Sequence, residues 1–159
     1  MVFDREIITK SPQETAKVGQ ELGHHLVKSE KLKVKSGEEE KGAKIICLYG
    51  ELGSGKTTFV QGLAKGLGIK SRLLSPTFII VRRYLIPDLD SFFYHLDLYR
   101  LNEARDLNSL GLAEIFSQTG NLVVVEWAEK LGELLPKDRI DIWLKTLDNG
   151  RHEVVVKKV

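Results

Sequence analysis

The sequence predicts an α/β protein: a mixed sheet with a parallel core extended by antiparallel strands, with helices on both faces. Three stretches predict it. Ala43–Tyr49 is a short apolar run with β-branched residues; the glycine-rich segment Gly50–Thr57 follows, and then Phe59, Leu63 and Leu67 recur at helical spacing. That is strand, loop and helix in sequence. Asn121–Trp127 places Leu122, Val123, Val124 and Val125 ahead of a carboxylate, Glu126, as a central parallel strand does at its C-terminal edge. Arg139–Thr146 and His152–Lys158 alternate as strands around Asp148-Asn149-Gly150, a strong hairpin signal.

The remaining elements fall into place in chain order. Val2–Thr9 reads as a short strand. Ser11 as N-cap, Pro12 in the first helical position and Glu14 three residues after the cap spell a helix start with a capping box. Val18, Leu22 and Leu26 then keep one helix face apolar to about Val27. Lys28–Lys44 is polar and densely charged, includes Glu38-Glu39-Glu40 and two glycines, and reads as a mobile surface loop. Beyond the loop-helix, which Gly68 stops, Pro76 forces an extended kink and the β-branched run past it reads as a strand to about Leu85. Pro87-Asp88-Leu89-Asp90 is a turn and Ser91–Asp97 a second strand, so the two form a hairpin. Glu103–Phe116 is charged and helix-prone, with Leu107, Leu110, Leu112 and Ile115 for its apolar contacts. No internal repeat occurs, and 159 residues read as one domain.

Composition narrows the function class. A formal net charge of +2 gives no charge-based argument for nucleic-acid or membrane binding. Cys47 is the single cysteine, so no internal disulfide can form, which agrees with a reducing compartment. No apolar run reaches membrane-spanning length, and Asp4, Arg5 and Glu6 stand where a signal peptide would be apolar. The expectation is a cytoplasmic protein without membrane contact.

The chemistry is spelled in Gly50-Glu51-Leu52-Gly53-Ser54-Gly55-Lys56-Thr57, which fits G-x-x-x-x-G-K-[ST], the phosphate-binding loop, and its strand and helix flanks are those of a P-loop NTPase fold. Gly53 and Gly55 let the backbone turn so that successive N–H groups face one concavity, and the helix N-terminus adds its positive end. Gly53, Ser54, Gly55, Lys56, Thr57 and Thr58 are therefore the expected contacts of a nucleoside triphosphate. Lys56 is expected at the β- and γ-phosphates, and the Thr57 hydroxyl on Mg²⁺. Such a site needs a carboxylate near the metal. Glu126 and Asp97 each end a strand, and each suits water-mediated Mg²⁺ binding or orientation of the attacking water. Thr77 lies where some NTPases sense the γ-phosphate, although a plain turn threonine reads as well. No N-K-x-D or D-x-x-G string marks a guanine site, so ATP is the default.

Four strings in order and spacing resemble one family: G-E-L-G-S-G-K-T-T-F at Gly50–Phe59, S-P-T-F at Ser75–Phe78, H-L-D-L-Y-R at His95–Arg100 and V-E-W at Val125–Trp127. Together they resemble the TsaE (YjeE) family, the small bacterial ATPase of tRNA threonylcarbamoyladenosine biosynthesis. The resemblance runs from the Ser11 helix start to Gly150-Arg151. It implies Mg-ATP on the loop, with Thr57 and Glu126 at the metal, Asp97 close by and Ser75–Phe78 as a switch-like segment. It further implies nucleotide contacts at Pro12 and Arg151 and a functional role for Trp127, for which packing against the sheet is the alternative. It implies as partners the TsaD–TsaB pair, which the ATPase returns to a state ready for another round, with tRNA met indirectly or within the complex. Two departures from the family pattern are Ala128, where many members carry proline, and the length of Lys28–Lys44. A small-molecule kinase is the rival enzyme. Arg82, Arg83, Arg100 and Arg105 supply charge for one, but no stretch has the length of a lid domain. A nucleotide-gated binding module with incidental hydrolysis is the non-enzymatic rival.

Overall fold

The structure is a computed structural model and describes residues 2–74, 80–102 and 104–159. Seven strands form one sheet: β1 (Arg5–Thr9), β2 (Lys44–Tyr49), β3 (Val81–Ile86), β4 (Ser91–Asp97), β5 (Leu122–Glu126), β6 (Ile140–Thr146) and β7 (His152–Lys158). The helices are α1 (Pro12–Ser36), α2 (Lys56–Gly66), α3 (Ala104–Asn108) and α4 (Leu112–Ser117), with 3₁₀ turns at Ala128–Leu134 and Asp148–Gly150. The strand order is β1-β7-β6-β2-β5-β4-β3. β6, β2, β5 and β4 run parallel to one another, and β1, β7 and β3 pair antiparallel at the flanks. The predicted mixed sheet is the observed one.

Alternation along β2 explains the two cores. Ile46 and Leu48 face α1 and α2, where Leu22, Leu26, Phe59 and Leu63 close over them. Ile45 and Cys47 face the other way, onto Leu107, Leu112 and Leu131 from α3, α4 and the 3₁₀ turn at Ala128–Leu134. Helices thus cover both faces of the parallel core. The helix-prone segment 103–116 yields two short helices rather than one, because Gly111 adopts φ +67° between them.

One expectation is overturned. The charged run from Lys28 is not a loop as far as Lys44: α1 continues to Ser36, and Lys44 already belongs to β2. Nothing in residues 28–36 breaks a helix, since they contain neither glycine nor proline. Lys33 pairs with Glu30 and Glu40, and Lys44 Nζ donates to Glu30 at 2.6 Å, tying the last turns of α1 to the start of β2. The stop comes at Gly37, φ +74°, whose N–H donates to the Lys33 carbonyl. At the other end Ser11 Oγ accepts from the N–H of Glu14 at 3.2 Å, the predicted cap, while Glu14 Oε2 accepts from the N–H of Lys10 at 2.6 Å.

α1 and α2 meet backbone to backbone. A β-carbon on Gly62 would overlap Ala16 O, one on Gly66 Gln20 O, one on Gly19 Phe59 O and one on Gly23 Leu63 O. Glycines four apart on each helix, Gly19–Gly23 and Gly62–Gly66, are what permit this approach.

Cys47 is fully buried on β2, and burial, helped by the nearby Asp141 carboxylate, pushes its thiol from 9.0 up to about 12. Iodoacetamide at about pH 8 is expected to leave the folded chain unlabelled and to label it fully in denaturant, because the reactive species is the thiolate. Mass spectrometry reads the outcome; ready labelling of the native chain would contradict this burial. The linkage has a sign. The folded value lies above the unfolded one, so the contribution to stability is full below about pH 9 and is lost as pH rises from about 9 towards about 12.

Candidate nucleotide site

The site lies at the C-terminal edge of the parallel core, where β2 hands over to α2. Gly50 leaves the strand at φ +148°, and a β-carbon there would meet Leu144 O and Ser54 Oγ, so the loop folds back only on a glycine. Gly55 caps α2 at φ +99°, with His152 Nδ1 3.2 Å and Thr15 Cγ2 3.5 Å from where its β-carbon would be. A cleft of about 310 Å³ opens over this turn. Gly53, Gly55, Lys56, Thr57 and Thr58 form one wall, and Asp97, Tyr99, Glu126 and Trp127 the other.

Sheet register assembles the acidic wall. β4 and β5 run parallel with Asp97 opposite Glu126, so two strands distant in sequence end at the same level. Both carboxylates are buried, Glu126 to 2 % exposure and Asp97 to 5 %. Glu126 uses its two oxygens differently. Oε1 accepts from Thr57 Oγ1 at 2.9 Å, and Oε2 meets His95 Nε2 at 2.6 Å. Asp97 Oδ1 accepts from the N–H of Tyr99 at 3.0 Å, which turns the chain out of β4.

Lys56 reaches from its wall towards the other. Its ammonium donates to the carbonyls of Gly50 (2.5 Å) and Glu51 (2.9 Å) and sits 4.2 Å from the centre of the Trp127 ring. Burial holds its pKa below the ordinary lysine value, against the opposing pull of Glu126, Glu129 and Asp97. Trp127 has φ +60°, a costly conformation for a bulky residue, and its ring lies 5.2 Å from that of Tyr99.

Not every expected residue lines this cleft. Ser54 is fully buried: its carbonyl accepts from His152 Nδ1 at 2.8 Å, and its hydroxyl faces inward towards Lys56. Pro12 and Arg151 stand outside the lining, both exposed. They still flank the loop, Pro12 three residues before Thr15 and Arg151 immediately before His152, the two residues packed on Gly55. The Arg151 guanidinium donates to Asp148 O at 3.3 Å. Thr77, with Ser75–Phe78 as a whole, lies outside the described residues. Sequence reasoning missed His95, Tyr99 and His152. The signal for His95 was its place two residues before Asp97, on the same side of the strand.

The donor set suits one class of metal. Among the described residues no group of three or more His, Cys, Asp or Glu converges as a metal cage. What converges is hard oxygen from Thr57, Glu126 and Asp97, which matches Mg²⁺, an ion held by one or two carboxylates with phosphate and water completing the shell.

Residues 9–154 match the family model described as "Threonylcarbamoyl adenosine biosynthesis protein TsaE". The chain belongs to the TsaE family. The tRNA threonylcarbamoyladenosine biosynthesis protein TsaE of Treponema pallidum is 35% identical over 149 residues, covering 94% of this chain and 97% of that protein. The Bacillus subtilis TsaE is 38% identical over 118 residues (72% and 70%), and that of Borreliella burgdorferi 40% over 110 residues (68% and 77%). Among solved structures, the crystal structure of Bacillus subtilis YdiB superposes with a TM-score of 0.69 at 29% identity, over 98% of this chain and 84% of that one. The likeness carried by the four strings is thus a family relationship, and the TsaE names place that family in tRNA modification. Among the described residues no helix is long and apolar enough to cross a membrane.

Proposed function

We propose that this TsaE-family chain is a magnesium-dependent ATPase that serves the tRNA threonylcarbamoyladenosine machinery by resetting the TsaD–TsaB transferase pair through hydrolysis. The observation that carries the proposal is the Thr57–Glu126 pair beside Lys56, in a cleft that faces the N-terminus of α2. The amides of the loop and of the first turn of α2 bind the phosphates, and Lys56 reaches the β- and γ-oxygens once it leaves the Gly50 and Glu51 carbonyls. Thr57, Glu126 and Asp97 would hold Mg²⁺, whose charge offsets that of the phosphate oxygens. Water attacks the γ-phosphorus, the bond from phosphorus to the β–γ bridging oxygen breaks, and the proton leaves with inorganic phosphate. Lys56 and the loop amides stabilise the charge that builds on the transferred group. Pro12 and Arg151, each a few residues at most from Thr15 and His152 that pack on Gly55, would meet the rest of the nucleotide, and Thr77 would sense the γ-phosphate.

The test is phosphate release from Mg-ATP by the chain alone and with the TsaD–TsaB pair. A slow rate alone that rises severalfold with the pair is the expected result. A brisk rate indifferent to the pair would reject the resetting role, and no release under either condition would reject the ATPase itself.

A further inference from the structure

His95 is a buried polar group that the proposed reaction leaves without a task. It lies on β4, wholly shielded from solvent, in register with Val124 of β5, and its ring stacks against Phe93 at 6.4 Å. Nε2 meets Glu126 Oε2 at 2.6 Å, while Nδ1 is buried and, among the described residues, has no hydrogen-bond partner. A ring with a partner only at Nε2 keeps its proton there, since an Nδ1–H would be an orphaned donor in the core. His95 therefore donates to Glu126 from beneath, and Glu126 accepts from Thr57 with its other oxygen.

We propose that His95 is a positioning residue for the metal side of this site: its Nε2–H occupies Oε2 of Glu126 and so presents Oε1 alone to Thr57 and Mg²⁺. The inference rests on the ATPase reading above. Glutamate at a strand end has three side-chain torsions, and without an anchor the carboxylate can turn towards Asp97 or Lys56. One short bond from a ring pinned in the core fixes the last torsion and rules out a two-oxygen grip on the ion. Partners of this kind, one shell out from a metal, are worth about 10–100-fold in metal affinity.

The readout is ADP binding with and without Mg²⁺, by calorimetry, in the unmodified chain, His95→Phe and His95→Gln. The phenylalanine fills the space without a donor, and the glutamine amide reaches the place of Nε2 with one. His95→Phe is expected to lose about tenfold or more of the magnesium-dependent gain in affinity while ADP binding without Mg²⁺ is kept, and His95→Gln to restore most of the gain. A merely structural histidine would lower the melting temperature of both variants and leave the magnesium-dependent gain unchanged. An unchanged gain in His95→Phe overturns the inference, as does a His95→Gln variant that folds and fails to restore it. Should His95→Phe not fold, ¹⁵N spectra of the unmodified chain decide: a protonated Nε2 and bare Nδ1 are expected, and an Nδ1–H ring overturns the donation. An unmodified chain with no magnesium-dependent gain would overturn the ATPase reading and this inference together. A gain that survives in His95→Phe overturns this inference alone.

Discussion

Lys56→Ala is expected to lower phosphate release from Mg-ATP by at least about a hundredfold, the scale on which a single charge-stabilising donor acts. The side chain is 5 % exposed, and the acidic groups around it, Glu126 foremost, oppose the loss of its charge through burial. Its ammonium is thus a concentrated positive charge held against protein, where electrostatic effects are larger than in bulk water. The fold should survive. The Gly50 and Glu51 carbonyls that Lys56 now satisfies lie in the loop beside the open cleft, where water can replace it. Circular dichroism and a thermal melt should therefore change little while turnover collapses. A variant that hydrolyses ATP at the parent rate would remove Lys56 from the mechanism.

The second large effect is structural. Gly62→Ala would be mildly favourable on an exposed helix, by about 1 kcal/mol. Here the added methyl would occupy the space of the Ala16 carbonyl on α1, a rigid backbone atom without a rotamer to yield. The expected outcome is a loss of about 3 kcal/mol through overpacking, or a melting temperature lower by about 6–12 °C for a chain of this size. Lys65→Ala, on an exposed position of the same helix, should fall within about 0.5 kcal/mol of the parent. A Gly62→Ala variant that melts at or above the parent would disprove the backbone-to-backbone contact.

What the sequence made legible was local. The phosphate loop, its strand and helix, the β3–β4 hairpin and the carboxylate after four apolar residues are each written in contiguous residues whose chemistry admits few other readings. The length of α1 was not legible from charge, because Lys28–Ser36 has the composition of a loop and equally of a helix whose outer face meets water. The absence of a breaker before Gly37 was the better guide. The glycine pairs on α1 and α2 were visible as spacings, but their meaning depends on which helices pack together. The His95–Glu126 contact depends on β4 and β5 being neighbours in one particular register, and a slip of one residue would turn His95 to the other face.

The glycine contact between α1 and α2 has a mechanical side. Two helices whose backbones touch at four glycines have little freedom to slide past each other and behave as a single beam. That beam carries the phosphate loop at the head of α2 and the Pro12–Thr15 turn at the head of α1, so one side of the nucleotide cleft is an anvil. On the ATPase reading, strain generated when phosphates enter or leave would find no slack there. It would pass to the opposite wall, where Glu126, Trp127 and Tyr99 stand at or just beyond strand ends.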